Sequence, residues 1–171
     1  MVRIGLRSVT HGCPCGFFTH PTKACRCSPH RVEQYRSKIS GPLLDRLDIH
    51  IEVPPINYKE LSESPSSETS ADIRKRVEKA RKTQQKRLRK DKVFANAHMS
   101  HRQIRKYCEL DKESRNMLKI AIDELGLSAR AYDKILKVAR TIADLDEKIN
   151  ISSEHIAEAI QYRSLDRNIS G

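Results

Sequence analysis

The chain has 171 residues, 33 Lys+Arg against 22 Asp+Glu for a formal charge of +11, 37% apolar and 5% aromatic residues, and no Trp. That length suits one domain, or one domain with an appendage. No apolar run approaches the roughly 20 residues a membrane-spanning helix needs, and the opening MVRIGLRSVTHG lacks the apolar stretch of a signal peptide. Leu, Ile, Val and Ala recur too regularly for a disordered tail, so the expectation is a basic, mostly helical, cytoplasmic protein.

Residues 1–30 are irregular, dominated by Gly, Pro, Cys and Thr. Within them Cys13, Cys15, Cys25 and Cys27 form two C-x-C pairs with nine residues between the pairs. Two close pairs joined by a short loop can present four thiolates to one tetrahedral Zn²⁺ in a closed structural site. A single intervening residue makes this harder than C-x-x-C does, so four reduced thiols without metal is the competing reading. Disulfides would need an oxidising compartment, which nothing indicates. His11, His20 and His30 flank the cluster as weaker candidate ligands, and Cys108 reads as a core residue.

Residues 31–39 (RVEQYRSKI) place Val32, Tyr35 and Ile39 on one side, which predicts a short helix ended by the S-G-P at 40–42. Asp48–Val53 then alternates, with Ile49, Ile51 and Val53 apolar, and predicts a short strand. The Pro-, Ser- and Glu-rich stretch after it is a linker by composition. The predicted organisation is therefore 1–55, a linker at 56–70, a helical domain at 71–165 and a tail at 166–171.

Beyond the linker the reading is all helical. Thr69 or Ser70 caps a helix over about 71–91 whose apolar stripe (Ile73, Val77, Ala80, Leu88) is narrow, leaving most of its surface to water. Ser100 and Gln103 form a capping box for a short helix reaching Cys108. Asp111 opens the next, with Met117, Leu118, Ala121, Ile122 and Leu125 facing the core and Gly126 as its stop. Ser128 opens the most strongly periodic helix, carrying Ala131, Ile135, Val138, Ile142 and Leu145, with Ala139 and Ala143 beside them. Ser152 or Ser153 starts the last, with Ile156, Ala159 and Ile160. Four or five amphipathic helices with short connections make a bundle.

The charge is unevenly spread. Residues 71–110 carry fourteen basic and four acidic side chains, and residues 71–92 alone hold eleven Lys/Arg against three acids. Nucleic acid is one inference, with Arg74, Lys75, Lys79, Lys82, Lys86 and Arg89 as candidate contacts. A solvated helix kept soluble by its basic arms is the other, since no aromatic side chains interleave the charges to stack on bases. Neither G-x-x-x-x-G-K-[ST] nor G-x-G-x-x-G nor G-x-S-x-G occurs in the chain. A catalytic site complete within it is not expected.

Two stretches together resemble a known family. CPCGFFTHPTKACRCSPHRVEQYRSKISGPLLDRLDIHIEVPP resembles the second half of the AAA+ module in magnesium-chelatase-like proteins of the YifB/ComM type, and LSARAYDKILKVARTIADLD with EHIAEAIQYR resembles their C-terminal lid. The resemblance implies a mainly α fold: a lid-type bundle of four to five helices, preceded by the Cys-rich segment, a short helix and a short strand from the end of the AAA+ core. It implies that Arg46, in S-G-P-L-L-D-R-L-D, is the arginine finger reaching the γ-phosphate in the neighbouring subunit's site. Arg is suited to that task because a planar fork can bridge the phosphoryl oxygens over which charge spreads. A surface Arg paired with Asp45 or Asp48 is the alternative for that residue. It further implies that Arg130, in L-S-A-R-A-Y-D, is the sensor-2 arginine that touches nucleotide. ATP and Mg²⁺ are then expected only in an intact hexameric ring, with the AAA+ core and neighbouring subunits as partners, DNA as a further partner and no membrane. The isolated chain is expected to be a monomer. The family's usual M-N-P-C-P-C-G carries a sensor-1 Asn where this sequence has His11 and Gly12, and MVRIGLRSVT does not resemble the strand before it. An atypical or truncated reading frame, with no ATP hydrolysis by this chain alone, is the resulting expectation. A stand-alone basic nucleic-acid-binding or adaptor module is the competing function. For Arg46's segment two outcomes are open: disorder without the core, or folding over the bundle.

Overall fold

The computed structural model describes residues 9–54 and 68–163. Most of the predicted linker and all of the predicted tail at 166–171 lie outside the described residues. The chain divides into two compact units: one runs to Ser40 and takes in residues 52–54, and the other combines Gly41–Ile51 with the chain from 68 onward.

In the first unit, an irregular segment leads into helix α1 (Pro29–Arg36). Ser28 caps it by accepting the Arg31 N–H, and Pro29 takes the first helical position, where a missing N–H costs nothing. Only Cys13 and Val32 are buried among this unit's described residues.

The second unit is helical. It comprises α2 (Gly41–Leu44), α3 (Ser70–Leu88), α4 (His101–Tyr107), α5 (Lys112–Leu125), α6 (Ala129–Leu145) and α7 (Ser153–Gln161), with 3₁₀ turns at Arg89–Asp91 and Asn96–His98. The expected caps are in place. Thr69 accepts the Asp72 N–H, Ser100 and Gln103 close a capping box, Asp111 accepts from Ser114 N at 2.7 Å, and Ser128 accepts from Ala131 N at 3.1 Å. Gly126 ends α5 in the left-handed conformation, with φ +59°. A Cβ there would meet nothing within 4 Å, so the requirement for glycine is one of backbone alone. Gly126→Ala should therefore destabilise the unit by about 1 kcal/mol through strain at positive φ, with Gly126→Asn costing less; urea titration measures both.

Helix α6 is the centre. Ala131, Ile135, Leu136, Ala139 and Ala143 are buried along it, and it packs against α7, α3 and α4, while α5 packs on α7. The core closes with Leu88, Met99, Ile104, Cys108, Leu118, Ile151, Ile156 and Ala159. Val138 and Ile142, expected in the central stripe, lie half-buried at its side, because the small Ala139 and Ala143 face the neighbouring helices most directly. On α3 the buried line is Ala80, Gln84 and Leu88, whereas Ile73 and Val77 remain about 42% and 44% exposed.

Two local expectations are corrected. The S-G-P at 40–42 does not merely end a helix: α1 stops at Arg36, and Gly41 and Pro42 open the turn of α2, where proline's missing N–H is tolerated. No strand exists among the described residues, and 48–53 forms no regular element. A strand needs a neighbour to bond its main chain, and what holds this stretch is the His50 N–H donated to Tyr162 O at 2.8 Å, with the His50 side chain buried. Its apolar alternation faces outward: Ile49, Ile51 and Val53 are all exposed.

A buried polar cluster fastens α3 to α6. Asp144, whose side chain is inaccessible, accepts both guanidinium nitrogens of Arg87, Asn96 Nδ2 at 2.8 Å and Arg140 Nη2 at 3.2 Å. Asn96 N donates to Gln84 Oε1, and Arg140 donates to Ile149 O and Lys148 O, both at 2.7 Å. Desolvation lowers the Arg140 pKa against the pull of Asp144, and it pushes the neighbouring Cys108 thiol up to about 12, so Cys108 is an inert core residue.

Candidate functional site

The short stretch after α2 carries Arg46, and the polypeptide around it is tied to the N-terminal end of α6. Asp45 accepts from Ser128 Oγ at 2.7 Å and pairs with Arg130 Nη1 at 3.2 Å. Ser128 is the residue that caps α6, and Arg130 stands in its first turn. The Ser128 hydroxyl, followed by Arg130, holds the Asp45 carboxyl below its usual value against the opposing effect of burial. One turn further along α6, Lys134 donates to Leu47 O and pairs with Asp48, each at 3.1 Å. Arg163, buried at the end of the α7 region, also donates to Leu47 O. Segment 41–51 thus folds against the helices.

Arg46 itself is exposed and makes no ion pair among the described residues. Neither acid proposed as its surface partner takes that role: Asp45 goes to Arg130 and Asp48 to Lys134. Arg130 remains about 64% exposed despite its pair, which leaves its guanidinium accessible. An exposed pair of this kind contributes at most about 1 kcal/mol, so it positions the two groups without locking them. The bridging groups Asp45, Lys134 and Arg163 were not among the sequence candidates. Asp45 had a signal in its place directly before Arg46, whereas nothing local marks Lys134 or Arg163.

The candidate cations on α3 and in the turn after it are all solvent-facing. Lys75 pairs with Asp72 at 3.3 Å and Lys79 with Glu147 at 2.6 Å. Arg74, Lys82, Lys86 and Arg89 are exposed and carry no ion pair among the described residues. Arg87, which was not a candidate, is turned inward to Asp144.

In the first unit the four cysteines converge. The sulfurs of Cys13 and Cys15 are 3.3 Å apart, those of Cys13 and Cys25 3.6 Å, and those of Cys15 and Cys25 3.5 Å. With Cys27 included, all four Sγ lie within 4.8 Å of one another, and none is in a disulfide. The flanking histidines stay outside this group among the described residues; His20 Nδ1 instead accepts the N–H groups of Thr22 and Lys23. Main-chain N–H groups of Phe17 and Arg26, with the Cys13 side chain, draw the Cys15 thiol down to about 6. Cys25 moves the opposite way, to about 12: the Cys27 N–H favours its thiolate, but desolvation and the adjoining sulfurs outweigh it. So many sulfurs in one place cannot all carry charge without a cation.

Comparison with known proteins agrees with this architecture. Residues 67–163 match the family described as magnesium chelatase, subunit ChlI C-terminal, and residues 3–61 match magnesium chelatase, subunit ChlI. The chain is 41% identical over 143 residues to the YifB protein of Escherichia coli, covering 83% of this chain and 28% of that protein. It is 39% identical over 166 residues to the competence protein ComM of Haemophilus influenzae, covering 96% of this chain and 31% of that protein. It is also 29% identical over 161 residues to the Rv2897c protein of Mycobacterium tuberculosis, covering 94% of this chain and 31% of that protein. The chain therefore spans about three tenths of the length of the curated relatives it matches. A helical unit beginning near residue 68, preceded by the Arg46 and cysteine segments in the order the two matches require, makes this chain a member of the magnesium chelatase ChlI family that carries its C-terminal domain.

Proposed function

We propose that this chain contributes two arginines to the nucleotide sites of an AAA+ ring: Arg46 as the arginine finger directed at a neighbouring subunit's γ-phosphate, and Arg130 as the sensor-2 residue. The observation that supports this reading best is the Asp45 bridge. Asp45 precedes the exposed Arg46 and binds both the cap and the first-turn arginine of α6. A phosphate competing for the Arg130 guanidinium would take it from Asp45 and so loosen the segment that aims Arg46. Two sites are then coupled by a single carboxylate, which is the minimum needed for one subunit's nucleotide to influence its neighbour's hydrolysis. ATP arrives with Mg²⁺ through the nucleotide-binding core, and this chain's share is positive charge and its placement.

A DNA-processing machine is the setting that fits best, since one relative is a competence protein and α3 displays unpaired cations. The test is a chimaera in which residues 13–163 of this chain replace the matching C-terminal part of the H. influenzae ComM protein, so that the residues ahead of Cys13, where this sequence departs from the family's pattern, come from that protein. ATP turnover should depend on Arg46, and Arg130→Ala should raise the KM for ATP. Turnover indifferent to both substitutions would refute the assignment.

The second reading, a basic nucleic-acid module that needs no ring, rests on Arg74, Lys82 and Lys86 on α3 and Arg89 just after it, all exposed and without an ion pair among the described residues. If these four touch phosphates, the logarithm of affinity for a DNA duplex should fall with the logarithm of salt at a slope of about −3 to −4. Fluorescence anisotropy on the isolated chain reads that slope, and Lys82→Glu with Lys86→Glu should remove roughly half of it. No binding even at low salt would make α3 a solvated face.

A further inference from the structure

We propose that Cys13, Cys15, Cys25 and Cys27 bind one Zn²⁺ as four thiolates, in a closed site that holds the first unit together. Four sulfurs on a zinc ion sit at about 2.3 Å from the metal, which places them about 3.8 Å from each other in a tetrahedron. The separations of 3.3, 3.5 and 3.6 Å among Cys13, Cys15 and Cys25, with Cys27 in the same group, are close to that arrangement. They are well beyond the roughly 2.05 Å of a disulfide. An iron–sulfur cluster would need its ligands spread around a larger body than one ion.

The backbone explains how C-x-C brings both sulfurs to one side. Gly16 adopts φ +78°, and its N–H bonds to Cys13 O at 3.1 Å, folding the chain back directly after Cys15. Main-chain N–H groups from both pairs serve the sulfurs: after the turn, those of Phe17 and Phe18 bond to Cys15 and Cys13, and from the second pair those of Arg26 and Cys27 bond to Cys15 and Cys25. Such N–H donors favour thiolates over thiols. Soft sulfur ligands select zinc over magnesium or calcium, and four of them leave no open coordination position. The site is structural, with no place for substrate or water.

The unit also needs a staple. Its described residues bury only Cys13 and Val32, far too little apolar surface to hold an irregular loop. Cys27 lies immediately before Ser28, the cap of α1, so a metal there fixes the start of that helix as well as both ends of the loop between the pairs. Metal binding of this kind is folding energy for the segment it joins.

The test uses the full chain, produced under reducing conditions with zinc and desalted before elemental analysis. One zinc per chain is expected, and replacement by Co²⁺ should give thiolate-to-cobalt charge-transfer bands and the visible absorption of a tetrahedral site. Cys15→Ser with Cys25→Ser should abolish both signals, while Cys108→Ser should retain them. The helical unit has its own core, so its thermal melt reports whether each variant is folded, and it should survive the paired serine change. Zinc-free protein whose four thiols react at once with a thiol reagent would overturn the proposal. So would zinc retained by the paired serine variant, iron in its place, or Cys13–Cys15 and Cys25–Cys27 disulfides in reduced preparations.

Discussion

Asp144→Ala should destabilise the helical unit by about 3 kcal/mol or more, because it leaves buried guanidinium groups without their counter-charge. Four donors converge on this carboxylate: two from Arg87, one from Asn96 and one from Arg140. Arg140 is only 3% exposed and cannot turn to water, although its bonds to Ile149 O and Lys148 O persist. Arg87 is 19% exposed and partly relieved by solvent, which is why the lower end of the usual range for a broken buried pair applies. For a unit of about 100 residues, 3 kcal/mol corresponds to a fall in Tm of roughly 12–24 °C. Asp144→Asn keeps the shape and two acceptor directions but not the charge, so its melt should fall between those of Ala and wild type. A Tm for Asp144→Ala within about 3 °C of wild type would mean that the cluster contributes nothing net.

Arg46→Ala should act in the opposite manner, with no effect on the fold and a large one on catalysis. Its side chain is exposed and unpaired among the described residues, so the melting temperature should stay within about 1 °C of wild type, as surface changes do. In the ComM chimaera ring, the rate of ATP hydrolysis should fall by on the order of 10³, the lower end of what an arginine finger supplies. Arg46→Lys should not restore it, because a point-like ammonium cannot bridge two phosphoryl oxygens as a planar fork does. Mixing variant and wild-type subunits distinguishes the finger from a local defect. A subunit with an intact core but a missing finger should silence its neighbour's site and not its own. A drop of less than about threefold in the pure variant ring would remove Arg46 from the reaction.

The two substitutions divide the unit into a framework and an exposed edge. Asp144 fixes α3 to α6, and α6 in turn presents Ser128 and Arg130 at its start. Lys134, one turn further along α6, holds the main chain of Leu47 and the carboxylate of Asp48. The position of Arg46 is therefore inherited from the same helix that the buried cluster anchors, although the arginine touches none of it.

Helix starts were legible residue by residue because their signals are local. Thr69, Ser100, Asp111 and Ser128 each accept an N–H three residues ahead, and Gly126 closes α5 at a positive φ that other residues avoid. The central role of α6 followed from its periodic apolar residues for the same reason. The strand at 48–53 failed because alternation describes one face of a chain and says nothing of whether a neighbour is there to bond it. Here His50 is the inward residue and the three apolar side chains around it face out. On α3 the stripe was placed correctly at Ala80 and Leu88, but Gln84, a polar residue, completes the buried line. Its burial depends on Asn96, twelve residues away.

Sequence alone determined the family, the helical character, the caps and the candidate residues for the proposed roles: an arginine after Asp45, another in the first turn of α6, and four cysteines in two pairs. Only the tertiary structure decided which charges meet. Asp45 and Arg130 are separated by 85 residues, and Arg87 and Asp144 by 57. Capping and periodicity act over three or four residues and can be read along the chain, whereas a carboxylate's choice among the eight cations of α3 is made by packing. Packing also leaves Arg46 exposed and unpaired among the described residues while its neighbours are held, and it gathers four sulfurs that spacing alone could only suggest.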